Sequence, residues 1–253
     1  MRQNQTHNAP PGAGGEKPKK PRLSAARVLP LAALAVGFAL AIAFDLHHYL
    51  SFETLKENRK WLLGQVEQHS AVTALAFVAI YTVVVAFSVP GGSFMTIAGG
   101  FLFGQVLGTA YVLVGASVGA SIIFIAAKTA FGDVLHERAG PWLQKMEAGF
   151  QENAFNYLLV LRLIPLFPFF VVNLVPAFLG MRLGPYFLAT AIGIIPGTFV
   201  YATVGAGLGS IFDSGDEFTS EGILTPQILT ALVGLAILSL LPVLYKKLKS
   251  SKA

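Results

Sequence analysis

The chain of 253 residues is 54% hydrophobic and 12% charged, with a mean hydropathy of +0.65, which excludes an ordinary soluble domain and describes an all-α polytopic membrane protein. No cysteine is present, so disulfides, thiol nucleophiles and cysteine metal sites are excluded. The formal charge of +5 gathers at the two ends, at Lys17, Lys19, Lys20, Arg22 and Arg27 and at Lys246, Lys247, Lys249 and Lys252. Beside membrane spans such clusters mark cytoplasmic flanks rather than a nucleic-acid surface.

Residues 1–26, rich in proline and glycine, are expected to form a disordered basic cytoplasmic tail. Residues 27–248 are expected to form a single membrane domain. Its first apolar run, Val28 to Phe44, is just long enough to span a hydrocarbon core of roughly 30 Å. Ala41-Ile42-Ala43 resembles a signal-peptide cleavage site, yet the rest of the chain is itself membrane-embedded, so the reading is an uncleaved span. Residues 45 to 69 then form a polar connector whose Leu55, Leu62, Leu63 and Val66 suggest an amphipathic piece lying on the surface.

Ala71 to Val89 is apolar, stops at Pro90-Gly91-Gly92-Ser93, and resumes as Phe94 to Phe103 before Gly104. The resumed piece, about eleven residues at 1.5 Å each, covers about half the hydrocarbon thickness. Tyr111 to Ala127 is a full span ending at Lys128, and Trp142, Leu143, Met146 and Phe150 mark one face of a short interfacial helix. Ala154 to Ile164 is again short, broken at Pro165 and Pro168, and Phe169 to Leu179 returns. Pro185 to Leu208 spans, an acidic loop comes next, and segment 226–245 is the last span.

The two broken stretches are copies of one plan. Sliding the first by 76 positions lays Gly104 on Gly180 and Gly108 on Gly184. Read as re-entrant hairpins, they leave about four full transmembrane helices, and one span between them forces them in from opposite faces. The repeat is therefore inverted, and broken segments at matching positions of two halves point to a transporter's midplane site. Six crossings with the longer limbs spanning is the alternative; both arrangements leave the two termini on one side.

A hairpin tip in hydrocarbon must line protein or a wet cavity, because unpaired backbone groups cost several kcal/mol each. Gly91, Gly92 and Ser93 allow close backbone approach and open a half-helix whose N-terminus presents free N–H groups; Pro168 suits the same place in the second copy. Arg162, just ahead of the Pro165 break, is a charge inside the membrane, for which function is the default reading, and its planar fork suits phosphate. Asn173 is either a ligand contact or glue between broken helices. His47 and His48 are adjacent and point apart on a helix, so no metal site is expected, nor any cofactor. No carboxylate pair or Ser/His arrangement is visible, so an enzyme is not expected.

Together, Phe87-Ser88-Val89-Pro90-Gly91-Gly92-Ser93, Ala98-Gly99-Gly100-Phe101-Leu102-Phe103-Gly104 and Leu161-Arg162-Leu163-Ile164-Pro165-Leu166-Phe167-Pro168-Phe169 with Asn173 resemble the VTT-domain family, also called SNARE-associated Golgi protein-like, of the DedA superfamily. The resemblance covers a core of about 71–209. It implies a multi-pass protein of the bacterial inner membrane that moves phospholipids or lipid-linked phosphates between leaflets, with Arg162 and Asn173 matching the family's arginine and asparagine. Two departures stand out. The stretch Phe87 to Thr96 holds none of the acidic residues of members thought to be proton-coupled, and Lys128 replaces the usual arginine. The expected partners are membrane lipids through phosphate headgroups, with a homo-oligomer left open. A small-ion or metabolite transporter and a non-transporting membrane organiser are the rival readings.

Overall fold

A computed structural model describes residues 25–45, 51–138, 150–163 and 167–214, and every regular element among them is a helix. The expected tail up to residue 24, the last span 226–245, Trp142, Leu143, Met146 and the histidines at 47 and 48 lie outside the described residues, as does Pro165, while Ala25 and Ala26 open the first helix instead of ending the tail. In chain order the helices are α1 (Ala25–Ala43), α2 (Phe52–Glu57), α3 (Arg59–Gln68), α4 (Ser70–Ala86), α5 (Gly92–Arg138), α6 (Ala154–Leu163), α7 (Phe169–Phe178) and α8 (Leu183–Ser214).

The helices carry apolar side chains on their outer as well as their inner faces. In α4 the buried residues Ala74, Phe77, Tyr81 and Val85 recur at helical spacing, while Val72 and Leu75 on the other side are 69% and 72% exposed. Large apolar side chains exposed along a whole face are a liability in water and a requirement in lipid. The same setting explains why α4 is a helix although it is rich in valine, isoleucine and threonine. With no water to bond the backbone, closing every N–H and C=O within the segment outweighs β propensity.

Two helices are long and apolar enough to cross a membrane, through Gly92–Ala130 and Leu183–Leu208, or three if α3 and α4, which meet at 120°, count as one broken span. The first of these is not straight. Gly104 sits at φ 77°, ψ 174° and divides α5 into a short limb, residues 92–103, of about 18 Å, and a long limb that runs on from residue 105. The long limb continues to Arg138, so residues 131–138 belong to it, where the sequence pattern suggests a separate interfacial segment.

The two glycines paired by the 76-residue shift share a left-handed backbone. Gly180, the partner of Gly104 under the 76-residue shift, is also left-handed, at φ 70°, and closes α7 with two reversed bonds, Gly180 N–H to Ala177 O (3.3 Å) and Met181 N–H to Pro176 O (3.0 Å). That pairing of bonds past a left-handed residue is the Schellman ending, for which glycine is the usual choice. α4 ends in the same way, with Ser88 N–H to Val85 O and Val89 N–H to Val84 O, both 2.9 Å, but the left-handed residue is Ser88, at φ 54°.

Small residues set the packing. A Cβ on Gly115 or Gly119 would lie 3.0 Å from the Tyr81 side chain or 2.6 Å from Thr82 O, so α5 rests backbone-close on α4. A Cβ on Gly205 would lie 1.9 Å from Ile97 O, which clamps α8 onto the short limb of α5. The most extensive helix pair is α5 with α8, and α6 and α7 pack against α8 and α5 respectively. Gly115, Gly119 and Gly205 therefore act as contact surfaces, the common use of small residues between membrane helices.

Candidate functional site

The two breaks meet. A cavity of about 540 Å³ is lined by Ser88 through Ser93 from the first break and by Arg162, Phe167 and Phe169 from the second, with Tyr81, Thr198 and Tyr201 completing polar parts of its wall. Gly91, Gly92, Ser93 and Arg162, all candidates from the sequence, thus share one chamber. Pro168 stands at the N-cap of α7 and is exposed, beside the chamber's Phe167 and Phe169 rather than on its wall. Asn173 is fully buried and also off the wall, where its Oδ1 takes a hydrogen bond from Arg162.

Arg162 is placed by its helix and held by its neighbours. It sits in the last turn of α6, where the carbonyl end of the helix dipole favours a cation. Its Nη2 donates to Asn173 Oδ1 at 2.7 Å and to Tyr186 Oη and Thr190 Oγ1, each at 3.1 Å. The guanidinium also lies 5.9 Å from the centroid of the Phe169 ring and 5.8 Å from that of Tyr186, within the range of cation–π attraction. Tyr186 is itself locked: it stacks on Phe124 at 4.1 Å, and its O–H is shared between Asn173 Oδ1 at 2.8 Å and Ala120 O at 3.2 Å.

All three acceptors are neutral oxygens. The sequence holds no Asp or Glu between Glu67 and Asp133 or between Glu152 and Asp213, and Arg162 is the sole charged residue from Ala154 to Met181. Among the described residues the cation is oriented but has no anionic partner. Moreover, its Nε is buried with no hydrogen-bond partner among the described residues, and none of the three bonds uses Nη1. A fork held by one nitrogen, with the remaining donors unspent beside a cavity, is arranged to receive an acceptor-only group such as an oxyanion.

Backbone donors add to it. The bonded ladder of α5 opens with Met95 N–H on Gly91 O, so the N–H groups of Gly92, Ser93 and Phe94 have no partner within the helix. They start at the Gly91 break, where φ is 128°. α7 likewise opens at Pro168, with its first N–H groups ahead of Val171 N–H on Pro168 O. Both half-helix starts border the cavity, and each carries the positive end of a dipole.

Tyr186, Thr190 and Gly193 are participants that the sequence reading misses. They fall at i, i+4 and i+7, one face of α8, and Gly193 lies so close to Arg162 that a Cβ there would come within 2.6 Å of the arginine's own Cβ. The signal was available as a polar stripe on an otherwise apolar helix. Lys128, by contrast, donates to Met181 O at 2.7 Å and leans on Phe124, capping the turn after Gly180 away from the cavity. Among the described residues no group of histidines and carboxylates could hold a metal ion.

The fold and site define a helical membrane protein in which two helix breaks border a cavity that holds an arginine with no anionic partner among the described residues. Residues 89–207, a little under half of the chain, match the VTT domain, and over that stretch the chain is similar to the VTT-domain family of membrane proteins. It is 28% identical over 202 residues to the transmembrane protein 41 homolog of Caenorhabditis elegans, covering 78% of this chain and 79% of that one. It is 29% identical over 205 residues to the Dictyostelium discoideum homolog (78% of this chain, 58% of that one) and over 177 residues to transmembrane protein 41B of Homo sapiens (68% and 58%). The aligned part is thus less than two thirds of the latter two. No solved structure gives a significant match. These relatives are eukaryotic, so they support a membrane location without supporting a bacterial one.

Proposed function

We propose that the chain moves lipids with phosphate headgroups between leaflets, the headgroup passing through the cavity while the acyl chains stay in the bilayer. The observation that carries this reading is Arg162: a guanidinium inside the membrane segments, held by three neutral oxygens, with buried Nε unspent. An intramembrane arginine costs roughly 2.5 to 3.5 kcal/mol even on the gentlest insertion scale, and a role with an anionic ligand offsets that cost where mere packing would not. In this arrangement the α4–α5 and α6–α7 pairs are re-entrant hairpins entering from opposite faces, with about four full crossings around them and both basic termini cytoplasmic.

The absence of any carboxylate between residues 68 and 132 and between 153 and 212 favours equilibration over proton-driven pumping, since no acidic proton carrier stands in those segments. That is the behaviour of a scramblase. No enzymatic step is invoked, and no cofactor. The test is reconstitution of purified protein with a fluorescent phospholipid: native protein equilibrates the probe between leaflets, and Arg162→Ala is expected to slow this at least tenfold while melting close to native. Native rates in well-folded Arg162→Ala would remove the residue, and the proposal with it.

A further inference from the structure

Among the cavity's wall residues, Ser88 is the one whose identity the fold works against. It holds the left-handed position that ends α4, at φ 54°, a conformation that a Cβ disfavours and glycine adopts freely. At the comparable breaks the chain uses glycine, at Gly104 and Gly180. The serine hydroxyl brings no compensation within the protein, for Oγ is buried without a hydrogen-bond partner among the described residues. Serine in a turn ordinarily bonds a nearby backbone group. A strained residue with an unsatisfied buried hydroxyl points to a role outside the fold.

Its location gives that role a chemistry. Four buried side-chain polar atoms lack partners among the described residues, on Ser88, Ser117, Arg162 and Asn173; the two whose residues line the shared cavity are Ser88 Oγ and Arg162 Nε. They come from opposite copies of the repeat, and both can donate. Both residues line the chamber although the two atoms are themselves shielded from solvent; a turn of each side chain would bring its idle donor to a group that only accepts, and a phosphate offers several acceptor oxygens. We infer that Ser88 is a second oxyanion contact, its O–H donating to a phosphate oxygen whose neighbour is held by Arg162. The inference rests on the phosphate reading above and adds to it a contact from the first tip. A phosphate on a lipid and one free in water present the same chemistry to this contact.

The experiment compares full-length native protein, Ser88→Gly, Ser88→Ala and Arg162→Ala in phosphatidylcholine vesicles. One arm follows leaflet exchange of a trace of fluorescent phosphatidylethanolamine, the other uptake of radiolabelled inorganic phosphate, and thermal melting is recorded for each variant. Ser88→Gly removes strain, so it is expected to melt at or above the native temperature while exchange or uptake falls about tenfold, the value of one hydrogen bond to a charged group. Slowing in the lipid arm assigns the contact to a headgroup, and slowing in the uptake arm assigns it to free phosphate. Ser88→Ala, which keeps the Cβ and loses the hydroxyl, is expected to slow equally. If Arg162→Ala is slow and both Ser88 variants run at the native rate, the Ser88 contact is wrong and the phosphate reading survives. If none of the variants slows either arm, both fall. A Ser88→Gly protein that is slow and also melts well below native assigns the residue to folding and overturns the inference.

Discussion

Gly193→Ala tests whether the position of the guanidinium, rather than its mere presence, matters. The added Cβ would lie 2.6 Å from Arg162 Cβ, whereas carbon atoms in good contact sit at roughly 3.5 to 4.0 Å. The Arg162 Cβ is fixed to α6, so relief requires α6 and α8 to part by about 1 Å. The bonds from Nη2 to Tyr186 and Thr190 are 3.1 Å long, and the same displacement carries them to about 4 Å, beyond hydrogen-bond range. Overpacking of this kind costs about 1–3 kcal/mol, against which alanine in a helix recovers about 1 kcal/mol relative to glycine. Stability should therefore fall by no more than about 2 kcal/mol, but an ångström of misplacement of a positioned group costs up to about a hundredfold in rate. Gly64→Ala is the control, having the same helix gain and nothing within 4 Å of its Cβ. Thermal melts and lipid exchange on both variants decide the matter. A Gly193→Ala protein that exchanges lipid as fast as Gly64→Ala would show that the arginine tolerates displacement and would refute the claim that Tyr186, Asn173 and Thr190 exist to aim it.

Gly104→Ala separates backbone strain from crowding, since its Cβ would meet nothing within 4 Å while φ is 77°; the expected loss is about 1–2 kcal/mol in a chemical melt, and no loss would mean that the break is not left-handed. If the hairpins are opposed as proposed, a cysteine at position 144 of this cysteine-free chain is expected to react with impermeant reagents from the cytoplasmic side alone; labelling only from outside would overturn the inverted arrangement.

Much of the architecture was legible because the membrane simplifies the reading of a sequence. Apolar runs give helices by backbone necessity, and their lengths against a fixed thickness give the breaks. Pro90-Gly91-Gly92 and the two glycines 76 residues apart were therefore enough to locate the bend points, and the structure adds that Gly104 and Gly180 share a left-handed backbone. Arg162 was legible as a charge in the wrong solvent. Its partners were not, for Tyr186 and Thr190 are ordinary members of an apolar helix until the fold turns their face toward α6, and Gly193 matters only through a contact between helices. Ser88 was hidden for another reason: left-handed φ is forecast from glycine, and a serine there gives no warning.

Geometry is shared between the two copies of the repeat, but chemistry is not. Under the 76-residue shift, Arg162 falls on Ala86 and Asn173 on Ile97, and both of those are buried among apolar neighbours. Had the first copy also carried an arginine, two guanidinium groups would have faced one cavity of about 540 Å³, and their repulsion in a weakly screened interior would have cost more than either helix end could offset. A single cation opposite hydroxyl groups and a helix N-terminus avoids this. It also sets how tightly an anion is held. One arginine without a second leaves binding weak enough for release, a condition that any pathway must meet if what enters is to leave. In the proposed inverted scaffold each tip would approach the chamber from its own face, and the asymmetry of the lining keeps the charge count among the described residues at one.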